Sequence, residues 1–267
     1  MRVKSNAVWH SLPGVIAAYQ PIAAPDPLAA RQNVAHSGAR FGVYNAVAGV
    51  LPTWSAVTGW TFNGSSQYLA TGIIPAINQS WSAVCRFSGA TAKNYAVPFG
   101  VQDALHGNGV FGIIPNSTTY GRVYENPGAL LMGSGTGVLA GVMGISRNAG
   151  YLNGIAEAGT IPATPTTANV YPIFIGSRNQ TNTPALYFNG SVRCLLIASR
   201  PLTPSEVWLA SRQMAYAEQN PNWNAWSRRR MYFYAPSAAV AGRVGIYGRR
   251  GAVALPGGVR IGTVNDA

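Results

Sequence analysis

The chain has 267 residues, 48% of them hydrophobic and only 10% charged, against roughly a quarter charged in an average soluble domain. Disorder needs the reverse balance, so this chain is expected to bury enough apolar surface to offset the entropy of ordering itself. With 31 Gly and 18 Pro it is equally unlike a long helical protein.

Nineteen basic residues face seven acids, a net charge of +12. Such a field calls for an acidic partner or for an assembly that silences it. The excess is uneven: residues 1–12 hold Arg2 and Lys4 (+2), residues 13–220 ten basic and six acidic groups (+4), and residues 221–267 seven Arg and one Asp (+6). Those last arginines are spaced among Tyr, Gly and Val without a recognisable nucleic-acid motif, which disfavours nucleic acid as the partner.

Along the chain, Met1-Arg2-Val3-Lys4 imitates the basic end of a signal peptide. The apolar stretch from Gly14 to Ala24 is broken by Pro21, and no secretory signal is expected. Residues 41–85 and 126–146 carry no charge. Gly, Pro, Ser, Thr or Asn interrupts both runs every few residues, and neither supplies about 20 predominantly apolar positions. Sheet is expected there, and no membrane span.

From Ser80 to Phe87 the residues alternate. Trp81, Ala83, Cys85 and Phe87 share one face and Ser82, Val84 and Arg86 the other, which predicts a single core face. Tyr95 to Phe99, Gly109 to Ile114, Thr119 to Val123, Gly137 to Ile145 and Val170 to Ile175 are further candidate strands. Asn63-Gly64, Asn153-Gly154 and Asn189-Gly190 fall between such runs, where Asn-Gly forms the left-handed turn of a tight hairpin. Together these predict an all-β sandwich or barrel. Cys85 and Cys194 are expected as two reduced, buried thiols, since a domain of this size does not depend on a disulfide.

Thr203-Pro204-Ser205-Glu206 is a capping box with proline at the first helical position. Val207, Trp208, Ala210, Met214 and Ala215 follow near helical spacing and Asn220-Pro221 ends the segment, so a helix near 204–219 is expected to pack its Trp208 side on the sandwich. Beyond it the character changes. Residues 221–235 are aromatic and basic, and residues 236–267 are mostly Gly, Ala, Val and Arg. No core of its own is expected in this segment, which should be held by a partner or by other copies of the chain. Arg228, Arg229, Arg230, Tyr232, Phe233, Tyr234, Arg249 and Arg250 are the candidate docking residues, because arginine pairs bidentately with carboxylates and stacks on aromatic rings.

The arrangement of these pieces resembles the laminin-G-like branch of the concanavalin A-like lectin/glucanase superfamily over about residues 14–217. Gly14 to Tyr19 looks like its first strand, Gly59-Trp60-Thr61-Phe62-Asn63-Gly64 through Tyr68-Leu69 like its "F-D/N-G-x-x-x-Y-L/V" segment, and Gly150-Tyr151-Leu152-Asn153-Gly154 like its "lYvNG" hairpin. Pro172 to Gly176, Phe188 to Val192 and Arg200 to Val207 are similar to the closing pattern. The resemblance implies a two-sheet antiparallel jelly-roll sandwich with one short C-terminal helix and an extended basic tail. It implies a division into an arm at 1–13, the jelly roll at 14–220 and an anchoring segment at 221–267. Arg193 and Cys194 stand where many relatives carry acids. The run from Asn220-Pro221 through Trp223, the basic cluster and Tyr232-Phe233-Tyr234 resembles the endings of laminin-G-like proteins of tailed bacteriophage and prophage structural regions.

Catalysis is disfavoured by residue supply. Glycoside hydrolysis needs two carboxylates about 5–10 Å apart, and Asp103, Glu125 and Glu157 converge only if the fold brings them together. His10, His36 and His106, expected in loops or at the surface, have no nearby serine elbow or cysteine partner. No enzyme and no cofactor are expected. The loop from Asp103 to Gly109 offers Asp103, His106 and Asn108 as calcium or sugar ligands. A left-handed hairpin turn is the plainer reading of that loop, and calcium has no other support. Asn179, in the run Ser177 to Thr183, is a candidate glycan contact on what is more simply a solvated loop. The expectation is therefore a non-enzymatic virion protein, present in many copies or as a homo-oligomer, docked on phage capsid proteins first and tail proteins second. A glycan-binding receptor lectin is the alternative, and a hydrolase comes last.

Overall fold

The computed structural model describes residues 8–35, 43–89, 95–103, 109–117, 121–132, 137–163 and 168–219, together with the backbone of four short strands in the tail. A 3₁₀ turn at Trp9–Ser11 precedes β1 (Val15–Tyr19), α1 (Pro27–Ala30), β2 (Val47–Val50), β3 (Thr53–Ser55), β4 (Gly59–Asn63) and β5 (Tyr68–Ala70). Next come β6 (Ser82–Ser88), β7 (Phe99–Asp103), β8 (Gly109–Ser117), β9 (Gly121–Glu125), β10 (Ala129–Met132), β11 (Gly141–Ser146), β12 (Ala149–Leu152) and β13 (Ile155–Ala156). β14 (Phe174–Ile175), β15 (Arg178–Gln180), β16 (Thr183–Ala185), β17 (Asn189–Ala198) and α2 (Pro204–Gln219) complete the sandwich. The tail strands are β18 (Tyr232–Phe233), β19 (Gly245–Tyr247), β20 (Val253–Leu255) and β21 (Val259–Gly262).

The expected all-β two-sheet sandwich is what forms. One sheet runs β13-β12-β11-β6-β17-β4-β3, and the other β10-β9-β8-β7-β14-β5-β2. β17 organises the first sheet. From Ser191 to Ala198 it pairs with β6, while its other edge is shared between β4, where Gly190 faces Phe62, and β1, where Leu195 faces Tyr19. The pairings within the two sheets are antiparallel except for β15, which lies parallel to β7 and turns back into β16.

Two apolar layers result. Ala83, Cys85 and Phe87 of β6, Met143 and Ile145 of β11, and Leu195 and Ile197 of β17 meet Phe99, Val101, Phe111, Ile113 and Ile175 of the second sheet. On the other side of the first sheet, Val84, Val142, Cys194 and Leu196 pack under Val207, Ala210, Met214 and Ala217 of α2, with Trp9 and Leu12 closing the layer. The single core face expected for β6 is thus corrected. Val84 and Ser82 are buried as well, because the helix covers the face that alternation alone assigns to solvent. Each large apolar side chain fully buried this way contributes roughly 1.5–3 kcal/mol, so α2 and residues 9–12 are integral to the sandwich.

The helix starts as expected. The Thr203 backbone N–H donates to Glu206 Oε2 at 2.8 Å and the Glu206 N–H to Thr203 Oγ1 at 3.3 Å. Trp208 is only half-buried, under Arg212, whose guanidinium carbon sits 5.6 Å from the ring centroid. Both cysteines are buried and free. Asn153-Gly154 makes the tight β12–β13 hairpin with φ of 51° and 84°. The other two Asn-Gly pairs behave differently: Asn63-Gly64 leads from the first sheet to the second, and Asn189-Gly190 lies within β17.

In the tail, β18-β19-β21-β20 pair into a small sheet. No helix among the described residues is long and apolar enough to cross a membrane.

Candidate functional site

Two charged constellations stand out. The first lies on the outward face of the second sheet. Gly112 of β8 is opposite Glu125 of β9, and Gly100 of β7 is the register partner of Arg178 of β15. Those two glycines place no side chain between Arg178 and Glu125, so the guanidinium reaches across β7 and β8 to pair with Glu125 and, at 3.3 Å, donates to Gln102 Oε1. The pair is well covered, with side chains 7% and 12% exposed. Burial pushes the Glu125 carboxyl above its ordinary range, and Arg178 opposes the shift.

The second constellation fixes the end of α2. Glu218 accepts from both Arg86 of β6 and Arg193 of β17, and Arg193 Nε also donates to Ser88 Oγ at 2.9 Å. One carboxylate therefore ties the last turn of the helix to two neighbouring strands. Arg193 is half of that clamp.

Ion pairing engages every described glutamate. Glu157 pairs with Arg122 at 2.8 Å and Glu206 with Arg200, while Asp26 caps α1 by accepting from the Ala29 N–H at 2.7 Å. These pairs escaped the sequence reading because their partners are mostly tens of residues apart, with no spacing to announce them.

The sequence-derived candidates are distributed as follows. Asp103 is not in a loop but at the end of β7, and it is 1% exposed. Asn179 is corrected more fully. It is wholly buried in β15, its Nδ2 donating to the Pro172 carbonyl at 2.8 Å, so it presents nothing to a glycan. The reason is the parallel pairing of β15 on β7, which draws a polar run into the sheet. His106 and Asn108 lie outside the described residues, as do Arg228, Arg229, Arg230, Tyr234, Arg249 and Arg250. Tyr232 and Phe233 are placed in β18 by backbone alone. His10, expected in a loop or at the surface, is buried beside Trp9, with the two ring centroids 5.6 Å apart. Among the described residues no three His, Cys, Asp or Glu side chains gather to hold a metal ion.

No protein-family model matches the chain, and no curated protein does. Among solved structures, a sialidase of Trypanosoma rangeli aligns with a TM-score of 0.48 and 15% identity, over 78% of this chain and 33% of that one. Domain 4 of AbnA, a GH43 extracellular arabinanase from Geobacillus stearothermophilus in complex with arabinotriose, aligns at 0.44 and 17%, over 73% of this chain and 98% of that one. The NanB sialidase of Streptococcus pneumoniae aligns at 0.33 and 18%, over 49% of this chain and 23% of that one. The chain spans about a quarter to a third of the length of the sialidases. The expectation that the chain is not an enzyme is withdrawn: the solved structures that align with it are sialidases and a domain of an arabinanase, and a shortage of acids is no ground for excluding catalysis. Likenesses of this extent assign no activity to the chain.

Proposed function

We propose that the chain is a structural protein of a tailed-phage particle, a displayed sandwich held by residues 221–267 on an acidic surface, capsid first and tail second. The supporting observation is the Glu218 clamp. By pairing with Arg86 and Arg193 it fixes the last turn of α2, just before the sequence that carries +6. A rigid departure point lowers the entropy lost when such a segment docks. The order of laminin-G-like motifs and the Asn220-Pro221 ending add to this reading.

Truncation after residue 219 tests it. The members of the three apolar clusters all fall within residues 9–217, so the shortened chain is expected to unfold cooperatively near the full-length midpoint while no longer binding purified particles. Retained particle binding overturns the assignment of the anchor. Glycan capture by the shortened chain, with no particle binding by the full chain, moves the function to a lectin.

A further inference from the structure

β2 closes one end of the second sheet. It pairs with β5 along one edge, Val47 with Ala70, Ala48 with Leu69 and Val50 with Tyr68, and among the described residues no strand covers its other edge. The segment around it is firmly held. The Tyr19 hydroxyl donates to the Tyr44 carbonyl at 2.6 Å and Asn33 Nδ2 to the Val43 carbonyl at 2.7 Å. The Ala46 N–H donates to the Arg31 carbonyl at 2.8 Å and Gln67 Nε2 to the Leu51 carbonyl at 3.0 Å. Gly49 lies beneath the Tyr68 ring, which leaves no room for a Cβ. Tyr44 is fixed at φ 61°, a strained conformation for a bulky residue.

Anchored in this way, the segment turns apolar side chains to water. Val43, Tyr44, Val47, Val50 and Leu51 are all exposed, from 40% at Tyr44 to 63% at Val47. Tyr44 lies beside Gly72, and Ile74, two residues further on, is exposed as well. Apart from a one-residue bulge at Gly49, β2 carries neither the charge nor the proline that ordinarily blunts a free edge. Exposed apolar side chains clustered like this mark a contact surface, and the fixed backbone lowers the entropy lost when the contact forms.

We infer that β2 is the edge through which two copies of this chain pair, antiparallel about a two-fold axis, joining their second sheets into one continuous sheet. A β edge is its own complement in that arrangement, because the N–H and C=O row of one copy meets the same row of the other. Charge selects this occupant. Residues 41–85 carry no charge in a chain of net +12, so β2 and β5 offer an acidic partner nothing to pair with. Two copies, by contrast, bring these strands together without burying a charge on either of them. The contact does not depend on the attachment through residues 221–267 proposed above.

The test follows the full chain by analytical ultracentrifugation over a micromolar concentration series at low and high salt. A monomer–dimer equilibrium is expected, strengthened by salt, which screens the repulsion between two chains of net +12. Val47→Lys with Leu51→Lys is compared with Val57→Lys and Ile155→Lys, exposed positions of the first sheet that add the same charge. Thermal unfolding near the parent midpoint establishes that each variant is folded. At high salt the β2 variant is expected to dimerise about tenfold more weakly, because a two-fold contact meets each lysine twice, and the control variant like the parent. Amide exchange at residues 47–51 of the unmodified chain should slow as its concentration rises. A chain that stays monomeric throughout overturns the pairing and leaves the edge to a different protein. Equal weakening by the two variants, a dimer that dissociates with salt, or exchange at 47–51 that ignores concentration overturns the β2 edge as the contact.

Discussion

Arg178 and Glu125 are joined across two strands whose intervening register positions, Gly100 and Gly112, are both glycine. Removing one partner of so covered a pair strands the other charge. Arg178→Met is expected to cost about 3 kcal/mol, read as a lower urea midpoint at unchanged slope. Arg178→Met with Glu125→Leu should recover most of that loss. A double variant no more stable than the single one contradicts the pairing.

The same row makes Gly112 intolerant of a side chain. A methyl there would lie 2.9 Å from the Phe99 carbonyl oxygen and 3.1 Å from Gly100 Cα, both backbone atoms. Gly112→Ala is expected to destabilise by about 1–3 kcal/mol, as overpacking does. At Gly144 the nearest atoms stand at 3.4 Å, and Gly144→Ala should be nearly neutral. Equal thermal shifts in the two variants would refute the close approach of β7 and β8.

The sandwich was legible because its signals are local. Alternation in β6, the Thr203 to Glu206 capping box and the Asn153-Gly154 turn each need only a few consecutive residues. What was missed is long-range. Whether Val84 meets solvent or Met214 depends on where a helix 120 or more residues later comes to rest. Asn179 reads as a loop residue until the parallel pairing with β7 is known. Arg86, Arg193 and Glu218 share no spacing, yet one carboxylate gathers them. Asn189-Gly190 failed as a turn because both residues are paired in the ladder with β4, Asn189 with Asn63 and Gly190 with Phe62.

At the start of α2, burial of Glu206 is outweighed by hydrogen bonds from Arg200 and Thr203, which hold its carboxyl below the ordinary range. A depressed folded-state value stabilises above the unfolded pKa, and that contribution is lost as pH falls through the folded one. Glu206→Gln should therefore be less stable than the parent at neutral pH, by about 1 kcal/mol for a capping residue. The two should converge as pH drops below the carboxylate range, measured by urea unfolding at successive pH values. A gap that persists in acid excludes this linkage.

Burial pushes the Cys85 and Cys194 thiols well above their ordinary range, and a protonated, covered thiol is a poor nucleophile. Ellman's reagent is expected to find no reactive thiol in the native protein and two in urea without reductant. None in urea would mean a disulfide, and rapid native labelling would mean that the β6–β17 seam is open.

The central claim is that residues 221–267 hold the sandwich on a particle. It is tested most directly by cryo-electron microscopy of purified particles of a tailed phage that encodes the chain, resolved well enough to identify what touches that segment. The expected result is an acidic capsid or tail protein against residues 221–267. Particles that lack the chain, or that bind it through the second sheet with the basic segment free in solvent, would contradict it.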